Sequence, residues 1–186
     1  MKKYLVIGNP ISHSLSPQLH NYWLKKNNIK GIYDKEKFNS NELKNLILSV
    51  RNNEINGVNI TVPFKNEIIP YLDKLSPESK NTRSVNTICL KDNKIIGHNT
   101  DIDGFQLALE DTKYEISGKK ILILGAGGVV ASIIFALKKM KASKIMISNR
   151  TKSKAETLND LFNDLTIINW GEIPDFDMII NATSLG

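Results

Sequence analysis

Apolar residues fall into short runs separated by polar turns, and the runs alternate between two periodicities. Tyr4 to Ile7 is a compact apolar stretch cut off by Gly8-Asn9-Pro10, as expected of a buried strand. After the loop Ile11 to Ser14, Ser16 is placed to cap a helix with Pro17 at its first turn, and Leu19, Tyr22 and Trp23 recur at helical spacing. Ile32 to Phe38 reads as a second strand. Glu42 to Arg51 reads as an amphipathic helix with Leu43, Leu46, Ile47 and Val50 on one face. Gly57 to Pro63 is a third strand, and strands alternating with helices predict parallel pairing in an open α/β sheet.

The middle of the chain is less regular. Val85 to Leu90 and Lys94 to His98 are predicted strands joined at Asp92-Asn93, followed by a helix near Gly104 to Glu110. From Lys119 a clean βαβ pattern begins: Lys120 to Leu124, a glycine turn, a helix to about Met140, and Lys144 to Ser148. A helix from Lys152 to Phe162 and strands near Leu165 to Ile168 and Asp177 to Ile180 complete it. The expected organisation is an α/β substrate domain over residues 1–103, a bridging helix over 104–118, and a partial Rossmann-type domain over 119–186. Only the first βαβαβ half of a doubly wound fold is visible. The natural protein is therefore expected to be longer, these residues alone to turn over little substrate, and the strand ending at Ile180 to leave an apolar edge.

Composition adds exclusions. No apolar run approaches the ~20 residues of a membrane-spanning helix. The start has no apolar region of the roughly 7–15 residues a secretory signal needs, so a cytoplasmic location is expected. The net charge of +6 comes from dispersed lysines, and only 3 of the 25 basic residues are Arg. A solvated surface that draws in an anionic ligand is the better reading than a nucleic-acid face. The lone Cys89 lacks a disulfide partner and a metal-ligand neighbourhood, and reads as an ordinary buried thiol.

Two sites stand out. Gly125-Ala126-Gly127-Gly128-Val129-Val130 follows a buried strand and opens a helix, the setting in which glycines let a backbone approach a pyrophosphate. A tight strand–helix turn without a ligand is the competing reading. About 20 residues on, an NAD enzyme would carry an acid for the ribose 2′-hydroxyl. Ser148-Asn149-Arg150-Thr151 stands there instead, with Lys154 one helical turn further. Arg150 suits a 2′-phosphate, so NADP is the expected cofactor, against the alternative of a solvated strand-end charge. The second site gathers polar residues at strand ends. Asn59 and Thr61 are expected on one strand face about 6.5–7 Å apart, followed by Lys65, with Asn86-Thr87 and Asn99-Thr100-Asp101 nearby. Such a set suits a ligand with several hydroxyls and a negative group.

With these pieces in order, the chain resembles the shikimate dehydrogenase family. The likeness is carried by Ser14-Leu15-Ser16-Pro17, Asn59-Ile60-Thr61-Val62-Pro63-Phe64-Lys65, Val85-Asn86-Thr87, Asn99-Thr100-Asp101 with Gly104-Phe105, Gly125-Ala126-Gly127-Gly128, Asn149-Arg150-Thr151 and Asn181-Ala182-Thr183-Ser184. The resemblance implies reversible NADPH-dependent reduction of 3-dehydroshikimate to shikimate, a step of chorismate and aromatic amino-acid biosynthesis. It implies Lys65 and Asp101 as the catalytic pair, Ser14 and Ser16 on the carboxylate, and Asn59, Thr61, Asn86 and Asp101 on the ring hydroxyls. The cofactor would meet Gly125, Ala126, Gly127, Gly128, Val129, Asn149, Arg150, Thr151, Lys154 and Thr183. The implied partner is a small molecule, shikimate or 3-dehydroshikimate, with at most a second copy of the chain in a homodimer and neither nucleic acid nor membrane. Thr82-Arg83-Ser84 replaces the family's usual Ile-Gly-Ala, and Val130-Ala131 replaces a small residue and a frequent arginine. Quinate or aminoshikimate dehydrogenation, or a non-catalytic binding module, are the alternatives.

Overall fold

The computed structural model describes residues 1–183, so Ser184 of the last family motif lies outside the described residues. The chain separates into two compact units, Met1–Thr100 and a second beginning at Asp101.

In the first unit, β1 (Lys2–Gly8) leads into α1 (Ser16–Lys26) and β2 (Gly31–Lys37). α2 (Leu43–Arg51) connects to β3 (Gly57–Ile60), and β4 (Lys74–Leu75) precedes the short α3 (Pro77–Thr82). The hairpin of β5 (Thr87–Lys91) and β6 (Lys94–His98) ends the unit. The strand order is β2-β1-β3-β5-β6-β4. β1 pairs parallel with β2 and β3, as expected, and β5 runs antiparallel to both β3 and β6, so the sheet is mixed. The hairpin turn explains the reversal: Asp92 and Asn93 both adopt positive φ (49° and 60°), the conformation of the tight turns that match strand twist.

All four expected apolar residues of α2 are buried, against Leu5, Ile7, Val58, Ile60 and Ile88 of the sheet. Each such side chain stabilises the fold by about 1.5–3 kcal/mol. The opposite face holds Val6, Ile11 and Tyr33, with Leu24 of α1 against them. α1 itself buries no residue fully, and Leu19, Tyr22 and Trp23 are exposed despite their helical spacing.

Several expectations are corrected here. Ser16 is not the cap of α1: Leu15 takes that position with no side-chain bond, and the Ser14 hydroxyl accepts the Ser16 N–H at 3.3 Å. The third strand ends at Ile60 and not at Pro63, because Pro63 has no N–H to donate and the chain turns after Thr61. Thr61 is thus beyond the strand that carries Asn59. α3 and β4 lie in the stretch whose pattern was irregular. Arg83 closes α3 at φ 47°, a left-handed position that favours glycine. Cys89 is only half-buried and lines a surface hollow.

The second unit opens with α4 (Asp101–Asp111), three residues earlier than expected, so Asp101 starts a helix and does not end a loop. β7 (Lys120–Leu124), α5 (Val130–Lys139), β8 (Lys144–Ser148), α6 (Lys152–Phe162), β9 (Thr166–Ile168) and β10 (Met178–Asn181) follow, within two residues of their predicted bounds. The sheet is wholly parallel, in the order β10-β7-β8-β9. Ile121, Ile123, Ile145 and Ile147 pack with Val130, Ile133, Ile134 and Leu137 of α5. Among the described residues β10 pairs only with β7, and Ile179 on it is half-exposed. None of the described helices is long and apolar enough to cross a membrane.

Candidate active site

In each unit the strand order reverses about the first strand, β1 or β7, and predicted residues lie beyond the strand ends there. In the first unit β2 and β3 lie on opposite sides of β1, so the carboxyl ends of β1 and β3 form a crevice of the kind that binds ligands in open sheets. Ser14 and Ser16 follow β1, while Thr61 and Lys65 follow β3. The Thr61 N–H donates to Ile7 O at 3.0 Å and Asn9 N–H to Val62 O at 2.9 Å, which ties the two exits together. The Val85 N–H donates to Lys65 O at 2.9 Å, bringing the backbone of the half-buried Lys65 beside the approach to Asn86.

Asn86 is held firmly. Its Oδ1 accepts from the Thr100 N–H at 2.9 Å and the Thr87 hydroxyl at 3.1 Å, and its Nδ2 donates to Thr100 Oγ1 at 3.0 Å. Asp101 is the residue after Thr100, one Cα step of about 3.8 Å from this network. Asn59 is fixed as well: Nδ2 donates to Asn86 O at 3.2 Å and Thr87 Oγ1 at 3.0 Å, while Oδ1 accepts from the Tyr33 hydroxyl at 2.6 Å. Both amide hydrogens of Asn59 are engaged, which leaves one lone pair on its oxygen for a further donor.

Sequence reasoning missed Tyr33 and Lys35. Burial pushes the Tyr33 phenol up to about 12, with the Ser16 hydroxyl acting in the opposite sense. Its ring stacks on His20 at 4.1 Å, and burial lowers the His20 pKa. His20 therefore has a packing role. The Lys35 ammonium donates to the carbonyls of Ser12 and Ser14, fastening the serine loop to β2. Period-two strand patterning marked both residues only as strand positions; their polar ends act through tertiary contacts.

Asn59 also borders a hollow of about 320 Å³ with Tyr4, Trp23, Tyr33, Thr87 and Cys89. A larger hollow of about 750 Å³ beside Met1 and Lys25 holds none of the predicted site residues.

In the second unit β8 and β10 flank β7, and the switch lies between β7 and β10. A cavity of about 330 Å³ opens there, lined by Gly125, Ala126, Gly127, Asn149, Arg150, Thr151, Lys154, Trp170, Ala182 and Thr183. Of the ten predicted cofactor residues, Gly128 and Val129 are absent from this wall; Val129 caps α5. Gly125 is required twice over. Its φ of 107° disfavours any other residue, and a Cβ there would lie 2.7 Å from Ala182 O. An added Cβ at Gly128 would meet nothing within 4 Å, so that backbone is open to a ligand. Arg150 and Lys154 make no hydrogen bond or ion pair through their side chains among the described residues, and no carboxylate lines the cavity. An accessible glycine backbone with two uncommitted cations fits a dinucleotide bearing an extra phosphate.

Comparison with known proteins shows the family of the chain. Residues 6–88 match the shikimate dehydrogenase substrate binding domain, and residues 106–185 match shikimate/quinate 5-dehydrogenase. The NADP(+) shikimate dehydrogenase of Pelagibacter ubique (strain HTCC1062) is 59% identical over 185 residues, covering 100% of this chain and 70% of that protein. The chain belongs to the shikimate dehydrogenase family. The crystal structure of shikimate dehydrogenase from Aquifex aeolicus superposes with a TM-score of 0.93 at 39% identity, over 100% of this chain and 70% of that one. The shikimate 5-dehydrogenase of Thermus thermophilus, in complex with NADP(H) and shikimate, gives a TM-score of 0.88 at 31% identity, over 98% and 69%.

Proposed function

We propose that the protein catalyses the reversible, NADPH-dependent reduction of 3-dehydroshikimate to shikimate. The observation that carries the cofactor half is the β8 exit: Asn149-Arg150-Thr151 and Lys154 border a glycine-turn cavity with no acid among the described residues of its wall. The relatives' names and the bound shikimate of the Thermus thermophilus structure support the substrate half.

When bound, NADPH supplies a hydride to the ketone carbon. The carbonyl π electrons then move to oxygen, and we assign the proton that quenches this alkoxide to the Lys65 ammonium. In the reverse direction the neutral amine takes the proton back from the hydroxyl. Asp101 is assigned to the same proton transfer, orienting the hydroxyl and balancing the lysine charge. Ser14 and Ser16 are assigned to the substrate carboxylate, on a loop whose carbonyls Lys35 already holds. Thr61, Asn59 and Asn86 are assigned to the ring hydroxyls; the bonds that immobilise the two amides favour them as fixed, directional partners. A cytoplasmic location and a homodimer belong to this proposal and rest on family likeness.

Shikimate-dependent reduction of NADP⁺, followed by NADPH absorbance, tests the reading, with quinate and NAD⁺ run alongside and each ligand titrated calorimetrically. Preference for shikimate and NADP⁺ is expected. Better turnover of quinate, or equal use of NAD⁺, would overturn the assignment of substrate or cofactor.

A further inference from the structure

Trp170 lines the cofactor cavity with Arg150, Thr151 and Lys154, and 58% of its surface is exposed. An indole is among the largest apolar groups a protein can leave in water, so its conformation and surroundings bear on its role. The residue sits at the second position of a tight turn. Glu172 N–H donates to Asn169 O at 3.1 Å, Asn169 Nδ2 donates to Glu172 Oε1 at 2.9 Å, and Gly171 between them has φ 93°, as the third position of a type II turn requires. The Ser148 hydroxyl donates to Asn169 O at 3.4 Å, pinning the turn to the end of β8.

The register of the sheet brings Trp170 alongside Arg150. Ser148 on β8 pairs with Ile168 on β9 in parallel. Arg150 and Trp170 are each two residues beyond that pair, so the two chains leave the sheet in step, about 4.8 Å apart at their last paired residues. A planar guanidinium and an indole thus line one cavity.

We propose that Trp170 stacks on the adenine base of the dinucleotide, closing the outer wall of the adenosine subsite opposite the Arg150 side. The inference rests on the dinucleotide reading above and adds to it a recognition element independent of the 2′-phosphate. A 2′-phosphate held by Arg150 is one ribose away from the base, which puts the purine over the β8–β9 exits where Trp170 stands. Stacking on an aromatic face does not depend on the ribose substituent, so Trp170 serves NAD⁺ and NADP⁺ alike while Arg150 discriminates between them.

The test uses a Trp23→Phe background, in which Trp170 is the sole tryptophan. Titration with 2′,5′-ADP should quench its fluorescence, and inorganic pyrophosphate, which has no base, should not. Trp170→Ala should weaken 2′,5′-ADP and 5′-ADP by a similar factor, about 5- to 150-fold, the usual worth of base–aromatic stacking. Trp170→Phe should keep most of the affinity, and thermal melting should show both variants folded. Arg150→Ala should weaken 2′,5′-ADP far more than 5′-ADP. Unchanged 2′,5′-ADP affinity in Trp170→Ala, with Arg150→Ala still impaired, overturns the stacking and leaves the cofactor assignment standing. If the parent protein fails to bind 2′,5′-ADP, the cofactor assignment falls and the stacking with it.

Discussion

The two units hold their polar residues in opposite ways. In the first, Asn59 and Asn86 are bonded to Tyr33, Thr87 and Thr100, and a lysine on the neighbouring strand fixes the serine loop. In the second, Gly125 of the glycine turn packs closely on Ala182, while Arg150 and Lys154 follow β8 without side-chain partners among the described residues. A small polyhydroxy acid presents many neutral groups whose directions distinguish it from its isomers. Reading them calls for amides locked before binding, since an unlocked amide would lose affinity in ordering. A phosphate presents charge over a wide range of directions. Long cations suffice there, provided a fixed backbone supplies the register and no carboxylate competes. Hydrogen bonds fix the polar side chains in one unit, and close packing holds the main chain of Gly125 in the other.

The sharpest way to separate the units is Lys65→Ala. Turnover with shikimate should fall by a factor on the order of 10²–10⁴, with a smaller change in shikimate affinity, as expected for loss of an acid–base group. Near-parental turnover would remove Lys65 from the mechanism. Next in size is Arg150→Ala, expected to weaken NADPH by roughly 1.5–3 kcal/mol, the scale of hydrogen bonds to charged groups, and NADH hardly at all. Calorimetry with both nucleotides decides it; equal losses would mean that Arg150 supports the fold.

Stability should separate the units too. Asn86→Ala removes the partner of the Thr100 N–H and of the Thr87 hydroxyl, and should lower unfolding free energy by about 0.5–1.5 kcal/mol in urea. Arg150→Ala should stay within about 0.5 kcal/mol of the parent. If both variants unfold alike, the contrast between locked and uncommitted residues is wrong.

A Tyr33→Phe change should cost about 0.5–1.5 kcal/mol at neutral pH through the lost bond to Asn59. The phenol of Tyr33 titrates higher in the folded protein, about 12 against 10.0, so its neutral form is favoured by folding. That contribution is complete below pH 10 and is lost as pH rises toward 12. The parent should therefore show an alkaline decline in stability that is reduced in Tyr33→Phe; identical declines would exclude Tyr33 as its source.

Much of the second unit was legible because its signals are local. Isoleucine-rich strands, a glycine turn and an amphipathic helix each declare themselves within a dozen residues, and parallel pairing follows from their alternation. The first unit was less legible. The antiparallel return of β5 beside β3 and the bond from the Thr61 N–H to Ile7 O join segments far apart in the chain. No window of sequence contains both partners.

The sequence by itself determined which residue types were available: a glycine turn without an acid after the next strand, and a Lys65 that follows Asn59 and Thr61 at set spacing. Those are properties of order along the chain, and order survives in any conformation. Only the tertiary structure decided that Tyr33 orients Asn59, that Lys35 holds the serine loop, and that Trp170 leaves β9 in step with Arg150. Each of these is a meeting of side chains or strand ends brought together by sheet register and turns, and folding alone creates it.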